Sequence, residues 1–489
     1  MGYPMHVKAV ICYIESHIYE EKLDYKELER RIGFSVAYIR EIFRKSTGYP
    51  LAKYVAMRKV KRSAVELANT DRTILEIAIQ YGFSNHETYT RAFCKVTGIT
   101  PSDFRRLRLI AGKEKIFPGV YSIGILKEKE KRCDMMLNGK KIESNDGSTI
   151  LYGVPKAAHG MFGGSTFYPI CLKACLEYLG ETLEYDFAAA CNGAAFRFVW
   201  NTRQWDLSNV DLYHTFGESQ EAYRLGAAAL GREFFVLERG KDTKKEEFIA
   251  FIREHIDEGY PCIALGIIGP PEPCIVAGYR QNGEELLGWN FFQNDPEFAA
   301  NLETDECGYF ICRDWWENTD TQVVMCLGAI LGEGLSKKEI ISNAIRALEG
   351  RMDHGYAKGL MAYDAWKKAL EDEREYNVND NYSLLFEKLL CQVDAMNCLV
   401  DGRRCAATFF RRFGAASGTC EQAAAAFEKC VEIIQKMWAL YGGFEDMEGM
   451  LRNLADTAVR KKSCELIDMA KRADADALQC MKNLLEEIG

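Results

Sequence analysis

Long apolar runs are missing from this sequence of 489 residues: no stretch of about 18 apolar residues occurs, and the N-terminus has no secretory signal peptide. We therefore expect a cytoplasmic protein with no membrane partner. Metal-binding cysteine patterns are missing as well, because the closest cysteine pairs are not CxxC motifs and no histidine stands beside them at zinc-finger spacing. The 18 cysteines are scattered, so we expect buried, reduced thiols and neither a metal nor a cofactor.

Charge is unevenly divided along the chain. The formal net charge is −9, but residues 1–110 carry about +7 and residues 111–489 about −16. A basic N-terminal segment suits a polyanionic partner, whereas an acidic remainder argues against nucleic acid wrapped around the whole molecule. The length and the 48% hydrophobic content predict a folded protein of roughly two to four domains.

One pattern occurs twice within the basic segment, which we call the head (residues 1–110). A short helix ends at a Gly-Phe-Ser triplet beginning at residue 33, and another ends at the same triplet beginning at residue 82. Each is followed by a helix that contains a phenylalanine and stops at Thr-Gly. The repeat predicts two helix-turn-helix units, in which the second helix of each enters the DNA major groove.

The sequence also predicts the helices before and between the two repeated units. An apolar stripe predicts a helix over residues 5–21, and a helix over residues 51–69 separates the two units. The helix over residues 51–69 would be about 28 Å long, which suits a rigid spacer between successive major-groove faces about 34 Å apart. Its basic residues are expected to add positive charge near DNA: Lys53, Arg58, Lys59, Lys61 and Arg62.

The run from Leu28 to Arg106 resembles the AraC/XylS family of bacterial regulators. The matching phrases are IGFSVAYIREIFRKSTGYPLAKYVAMRKVKRSAVEL and ILEIAIQYGFSNHETYTRAFCKVTGITPSDFRR, and the second is close to the family signature. The resemblance covers about a fifth of the chain. It implies sequence-specific binding to double-stranded DNA and, usually, transcriptional activation, with RNA polymerase as a further candidate partner. The family commonly places this module after its sensor, whereas here it comes first, so the direction of signal transfer is not implied.

The resemblance assigns DNA-contact residues position by position. The first reading helix is expected to present Ala37, Arg40, Glu41 and Arg44, and the second His86, Glu87, Thr88 and Arg91. Arginine can pair with guanine, glutamate can accept from cytosine, and threonine can pack on a thymine methyl group. Lys45, Lys95 and Arg105 are expected to contact phosphates. The alternative is that Glu41 and Glu87 only form pairs within their helices, with Arg44 and Arg91.

The segment GGSTFYPICLKACLEYLG (163–180) resembles the opening helix of papain-like bacteriocin-processing peptidases, and the region also resembles the N-terminal part of butirosin biosynthesis protein H. The alignment places Phe167 at the nucleophile and Glu272-Pro273 where the histidine belongs, so the resemblance implies a papain-like domain without catalytic residues. Cys171 and Cys175 are alternative nucleophiles, for which the base would have to be one of three histidines: His159, His214 and His255.

A cleft without catalytic residues can serve as a small-molecule pocket, because such pockets are largely lined by apolar and aromatic side chains. The residues predicted to bind an effector of unknown identity are Phe162, Phe167, Tyr168, Phe196, Trp200, Trp289, Tyr363 and Trp366. For each of them, the alternative is an ordinary place in the hydrophobic core.

The sequence therefore predicts a multidomain protein. Its parts are an all-α double helix-turn-helix head (1–110), a linker (111–150) with room for a short hairpin, an α+β papain-like sensor domain (151–332) and an all-α C-terminal domain (333–489). The last would act as a lid or as a homodimer surface. The predicted function is a ligand-responsive, DNA-binding transcription activator without enzymatic activity. Two alternatives stay open: a cysteine peptidase or acyltransferase tethered to DNA, and a constitutive regulator with a structural body.

Overall fold

A computed structural model provides the fold. The structure describes residues 5–47, 50–70, 72–97, 100–102, 105, 141–157, 164–207, 209, 212–295, 298–299, 302–376, 382–413, 418–442 and 447–488. We call the described residues from 141 onwards the body. Residues 111–140 of the predicted linker, together with Phe162 and His159, lie outside the described residues.

The described residues of the head form six helices around one hydrophobic core. The helices are α1 (Met5–Ser16), α2 (Tyr25–Ile32), α3 (Val36–Thr47), α4 (Leu51–Asn69), α5 (Ile74–Gln80) and α6 (His86–Thr97). Helix α1 ends at Ser16, five residues before the predicted end at residue 21. The chain turns there, and the backbone carbonyl of Glu20 in that turn accepts a hydrogen bond from Lys59 Nζ of α4. A tertiary contact therefore holds the turn that follows the helix.

Local signals set the other helix ends of the head. Asp24 accepts hydrogen bonds from the first N–H groups of α2, and Thr73 forms a capping box with Glu76 at the start of α5. Gly33 and Gly82, which begin the two repeated triplets, have φ values of +78° and +68°. Glycine adopts this left-handed conformation without the steric penalty that a Cβ atom imposes. The repeated triplets are therefore the turns of two helix-turn-helix units, as predicted.

An antiparallel sheet forms the centre of the body. Its strands are β1 (Lys141–Asn145), β2 (Ser148–Tyr152), β4 (Arg232–Glu238), β5 (Cys262–Leu265), β6 (Pro273–Arg280), β7 (Glu285–Trp289), β8 (Glu303–Thr304), β9 (Phe310–Cys312) and β10 (Val323–Ile330). The order is β4-β10-β5-β6-β7-β9-β8, and the β1–β2 hairpin joins through β2 to β6. The Gln-Asn-Gly triplet at residues 281–283, a sequence typical of a hairpin turn, joins β6 to β7, with positive φ at Gln281 and Asn282.

Four helices accompany this sheet: α7 (Phe167–Leu179), α8 (Tyr185–Cys191), α9 (Glu221–Ala229) and α10 (Lys245–Asp257). Helix α7 is buried along almost its whole length and packs against β5 and β6. Its C-terminus is closed by Gly180 in the left-handed conformation. This part of the chain is thus α+β, as predicted, while the papain-like identity of its fold stays a prediction.

The C-terminal region is mainly helical. Its helices are α11 (Lys337–Leu348), α12 (Leu360–Glu371), α13 (Tyr382–Phe413), α14 (Gly418–Tyr441), α15 (Met447–Ala455) and α16 (Thr457–Ile488). The expectation of a purely helical region is wrong at residues 351–358, which form a hairpin of β11 (Arg351–Asp353) and β12 (Tyr356–Lys358). Strand β12 pairs with β3 (Val199–Asn201). Because β3 lies far away in the sequence, no local periodicity predicts this pairing.

The hydrophobic core is continuous across the predicted boundary at residue 332. Phe196, from the sheet region, lies between Phe410 of α13 and Phe427 of α14, with ring centres 6.1 and 5.8 Å away. Arg403 of α13 also donates to the backbone carbonyls of Ala195 and Arg197 at 3.0 Å. The two parts of the body are therefore packed together, and the division into two domains stays a prediction.

Sixteen cysteines of the described residues are free thiols, and most of them are buried. Among the described residues, no three metal-capable side chains gather at one place. A helix with enough length and apolar character to cross a bilayer is also not found in the described part of the chain.

Candidate DNA-binding surface

Helix α3 separates core and surface as its periodicity requires. Ile39 and Phe43, one helical turn apart, are buried in the core of the head. The five residues predicted to contact DNA are all exposed on the other side of the helix: Ala37, Arg40, Glu41, Arg44 and Lys45. The structure thus brings all five to solvent on one helix.

Three of these side chains have neighbours on the head itself. Glu41 accepts a hydrogen bond from Lys45 Nζ at 2.7 Å, which lowers the pKa of Glu41. The pair within the helix therefore forms with Lys45 and not with Arg44. The guanidinium of Arg40 lies 4.8 Å from the centre of the Tyr25 ring. Exposed ion pairs and cation–π contacts of this kind are weak, so all three side chains can exchange their partners for DNA.

Helix α6 repeats the arrangement with a stronger cap. Asn85 Oδ1 accepts a hydrogen bond from the backbone N–H of Thr88 at 2.8 Å, as an N-cap residue does. The Thr88 hydroxyl donates to the backbone carbonyl of Asn85 at 2.9 Å and is half-buried, so this hydroxyl serves the cap. The other four predicted contact residues are exposed: His86, Glu87, Arg91 and Lys95. Glu87 and Arg91 lie 3.8 Å apart and form the expected ion pair within the helix.

The spacer helix α4 contributes buried contacts to the head that its basic residues did not indicate. Arg58 and Lys59 are buried, so the expectation that they add charge near DNA is wrong. Burial lowers the pKa of Lys59, whose ammonium group holds the turn after α1. Ser63 of α4 accepts a hydrogen bond from the hydroxyl of Tyr89 in α6 at 2.9 Å. These contacts fix α6 and the turn after α1 to α4.

Two further residues depart from the sequence-based assignment. Arg105, expected to contact a phosphate, donates instead to the backbone carbonyls of Leu67 and Arg72. Tyr38 of α3 was missed: it is exposed next to Ala37, and its ring lies 5.0 Å from that of Phe34. Its position off the Ile39–Phe43 stripe was the available signal, but aromatic residues in a helix are more often part of the core.

The aromatic residues predicted to bind an effector lie in separate clusters. Phe167, at the start of α7, stacks on Phe291 at 4.3 Å, and Trp289 donates from Nε1 to the Val154 carbonyl at 2.8 Å. Tyr168 donates from its hydroxyl to the Tyr223 carbonyl at 3.1 Å.

A second cluster joins β3 and α12 to the helical region. Trp200 stacks on Trp366 at 5.9 Å. Trp366 donates to Gln392 at 2.6 Å, and Tyr363 donates to Asp474 at 2.7 Å. Phe196 packs against α13 and α14 and belongs to the same hydrophobic core as Tyr168 and Trp289. The predicted residues are thus buried at more than one place in the body, and their role in binding stays a prediction.

The thiols considered as alternative nucleophiles are poorly suited to attack. Cys171 and Cys175 are buried in α7, and burial raises the pKa of each thiol far above its usual range. His255 is buried between the rings of Phe235 and Phe251, and His214 stacks on Tyr356. The structure does not bring either histidine to the two thiols.

Comparison with known proteins gives the same assignment for the head. A helix-turn-helix domain model matches residues 28–107. The chain is 37% identical over 103 residues to the Transposon Tn10 TetD protein of Escherichia coli, which covers 21% of this chain and 74% of that protein. It is 31% identical over 105 residues to the Regulatory protein SoxS of Salmonella typhimurium, with coverage of 22% and 97%.

A longer relative shows where the likeness ends. The chain is 33% identical over 100 residues to the Transcriptional regulator Rob of Salmonella typhimurium, but the match spans only 34% of that protein and 20% of this chain. The similarity in all three cases is confined to a stretch of about the length of the head. On these matches, the chain belongs to the AraC-type family of helix-turn-helix, DNA-binding transcription regulators.

Proposed function

We propose that the protein is a one-component transcription activator whose head binds an operator and whose body binds a small-molecule effector. The proposal is supported by the position of the head. Helix α1 packs against α13 and α15 of the body, while nearly all of the predicted contact residues on α3 and α6 stay exposed. DNA and effector can therefore be bound by different parts of one molecule. An effector that favours one arrangement of head and body would shift the affinity for DNA.

At the DNA, we propose that α3 and α6 enter successive major grooves on one side of the duplex. The 19 residues of α4 span about 28 Å, close to the groove repeat. Arg40, Arg44 and Arg91 are suited to guanine, and Lys45 and Lys95 to phosphates. RNA polymerase is the protein partner that an activator requires, and the helical region is our candidate surface for a homodimer.

For the body, we propose a papain-like fold that binds without catalysing. Phe167 starts α7 at the position aligned with the nucleophile, and the thiols further along that helix are buried. Pro273 starts β6 where the alignment expects the histidine. Neither residue can act as a nucleophile or a base.

The test uses the full-length protein. Operators are selected from random-sequence duplex DNA, and the Kd is then measured by fluorescence anisotropy between about 50 and 200 mM salt. A protein with six to ten phosphate contacts should lose roughly 10³-fold or more in affinity over this range. The Arg40→Ala/Arg91→Ala variant should lose its preference for the selected site over a scrambled duplex. Binding that depends on neither salt nor sequence would overturn the proposal.

A further inference from the structure

One buried arginine in the body lacks the carboxylate that the others have. The described residues of the body contain six buried lysine and arginine side chains. Five of them form ion pairs with carboxylates, namely Lys173, Arg232, Lys358, Arg403 and Arg460. The sixth, Arg197, is 3% exposed, and its guanidinium donates only to the backbone carbonyls of Ala194 and Asn209. A buried charge without a counter-charge is unfavourable.

Unused hydrogen-bonding groups surround this arginine. Among the described residues, Arg197 Nε, Asn192 Nδ2 and the Thr215 hydroxyl are buried and have no hydrogen-bond partner. Asn192 and Arg197 lie on either side of the turn at Gly193, and the backbone N–H of Arg197 donates to the Gly193 carbonyl at 3.0 Å. The methyl carbon Cγ2 of Thr215 would lie 3.1 Å from a Cβ atom on Gly193. The Arg197 and Asn192 groups can only donate, so together the three groups offer mostly donors.

The Gly193 turn lies under helix α13. A Cβ atom on Gly402 of α13 would be 3.0 Å from the carbonyl oxygens of Ala194 and Ala195. Arg403 of the same helix donates to the Arg197 carbonyl at 3.0 Å. Helix α13 also packs against α1 of the head. A group bound at the turn would therefore contact the element that connects the body to the head.

We propose that the Gly193 turn is an anion site, where Arg197, Asn192 and Thr215 bind the carboxylate or phosphate group of an effector. An anion supplies the missing counter-charge and accepts hydrogen bonds from all three groups, and charge-assisted bonds of this kind are strong. The assignment rests on the proposed sensing function of the body and narrows its ligand to an anionic small molecule.

The experiment measures thermal unfolding of the full-length protein without DNA, at constant ionic strength. Chloride is replaced in one arm by inorganic phosphate and in the other by acetate. We expect the Tm of the wild type to rise by about 2–4 °C in at least one arm, because an anion that binds only the folded state stabilises it. A rise with phosphate alone indicates a phosphate-bearing effector, and a rise with acetate alone indicates a carboxylate.

Two variants separate this site from general salt effects. Arg197→Met removes the charge, and it should abolish the anion-dependent rise in Tm. Asn192→Asp keeps the Oδ1 atom that accepts from Ala194 N–H and places a carboxylate near Arg197. This variant should therefore also abolish the rise in Tm. It tests the site independently if Arg197→Met does not fold. Lys45→Ala, on the DNA-binding surface, should keep the rise.

No rise in the wild type, or an equal rise in Asn192→Asp, would overturn the anion site. Because these measurements contain no DNA, their failure would leave the regulator proposal intact. Conversely, salt-independent DNA binding would count against the regulator proposal and not against anion binding.

Discussion

Arg91 is an exposed side chain on α6, the second recognition helix, and we expect it to contact a base. Its side chain is 70% exposed and has only a loose pair with Glu87. Arg91→Ala should relax the preference at one base pair of the operator and weaken binding to the selected site by about 1–3 kcal/mol, because one bidentate contact to guanine is lost. The measurement is a set of anisotropy titrations against single-base variants of the operator.

Lys45→Ala is the matched control for this prediction. A phosphate contact carries no sequence information, so this variant should weaken binding to all duplexes alike and reduce the salt slope by about one unit. An Arg91→Ala protein that behaves in the same way would show that Arg91 contacts the backbone and not a base.

His255 gives the body a dependence on pH. Its ring is buried between Phe235 and Phe251, and burial lowers its pKa below the ordinary value, although Glu254 and Glu258 oppose the shift. The unfolded chain therefore takes up this proton first, and stability contributed by neutral His255 is complete above about pH 6.5 and declines as the pH falls.

Replacing this residue tests the sign. In His255→Phe, the aromatic packing remains but the ionisation is lost, so its urea midpoint should fall less than that of the wild type between about pH 7 and pH 5. His86→Phe, which replaces an exposed histidine at the start of α6, is the control and should follow the wild type. Parallel curves for His255→Phe and the wild type would contradict the prediction.

At the level of elements, the two turn glycines look alike in sequence but differ in packing. Both have positive φ, yet a Cβ atom on Gly33 would meet nothing within 4 Å, whereas one on Gly82 would lie 2.6 Å from the Glu20 carbonyl oxygen. Gly33→Ala should therefore lower the free energy of unfolding by about 1–2 kcal/mol, the left-handed penalty alone. Gly82→Ala should add about 1–3 kcal/mol for the clash.

Urea unfolding of the full-length variants, followed by far-UV circular dichroism, measures the difference. Each glycine is the other's control, because the local conformation is the same at both positions. Equal losses would mean that the turn after α1 moves away from Gly82 at no cost.

For the whole molecule, the contact between head and body centres on Glu448 of α15. Arg31, at the end of α2, donates to Glu448 at 2.9 Å, and His17 lies 4.0 Å from the same carboxylate. The side chains of Arg31 and Glu448 are only 16% and 14% exposed, so water screens the pair less than it screens a surface pair.

A double-mutant cycle tests this contact. Arg31→Ala and Glu448→Ala should show a coupling energy of about 1 kcal/mol or more in the free energy of unfolding. The exposed pair Arg411–Glu421 is the matched control, and its coupling should be about 0.5 kcal/mol. A coupling near zero for Arg31 and Glu448 would mean that the head does not dock at α15.

The organisation of the head could be predicted from the sequence, including the repeated triplets and the exposed faces of α3 and α6. These features depend on hydrogen bonds and side-chain periodicity within one or two helical turns, which neighbouring residues already specify. The same local signals predicted the β6–β7 hairpin in the body.

For other residues, burial and distant partners depend on the tertiary structure. Lys59 was expected to add positive charge near DNA, but it is buried and donates to the backbone carbonyl of Glu20. The hairpin at residues 351–358 depends on β3, and the charge of Arg197 is notable only because no described carboxylate pairs with it. Burial, clashes and ion pairs join residues far apart in sequence, so they exist only once the chain is folded.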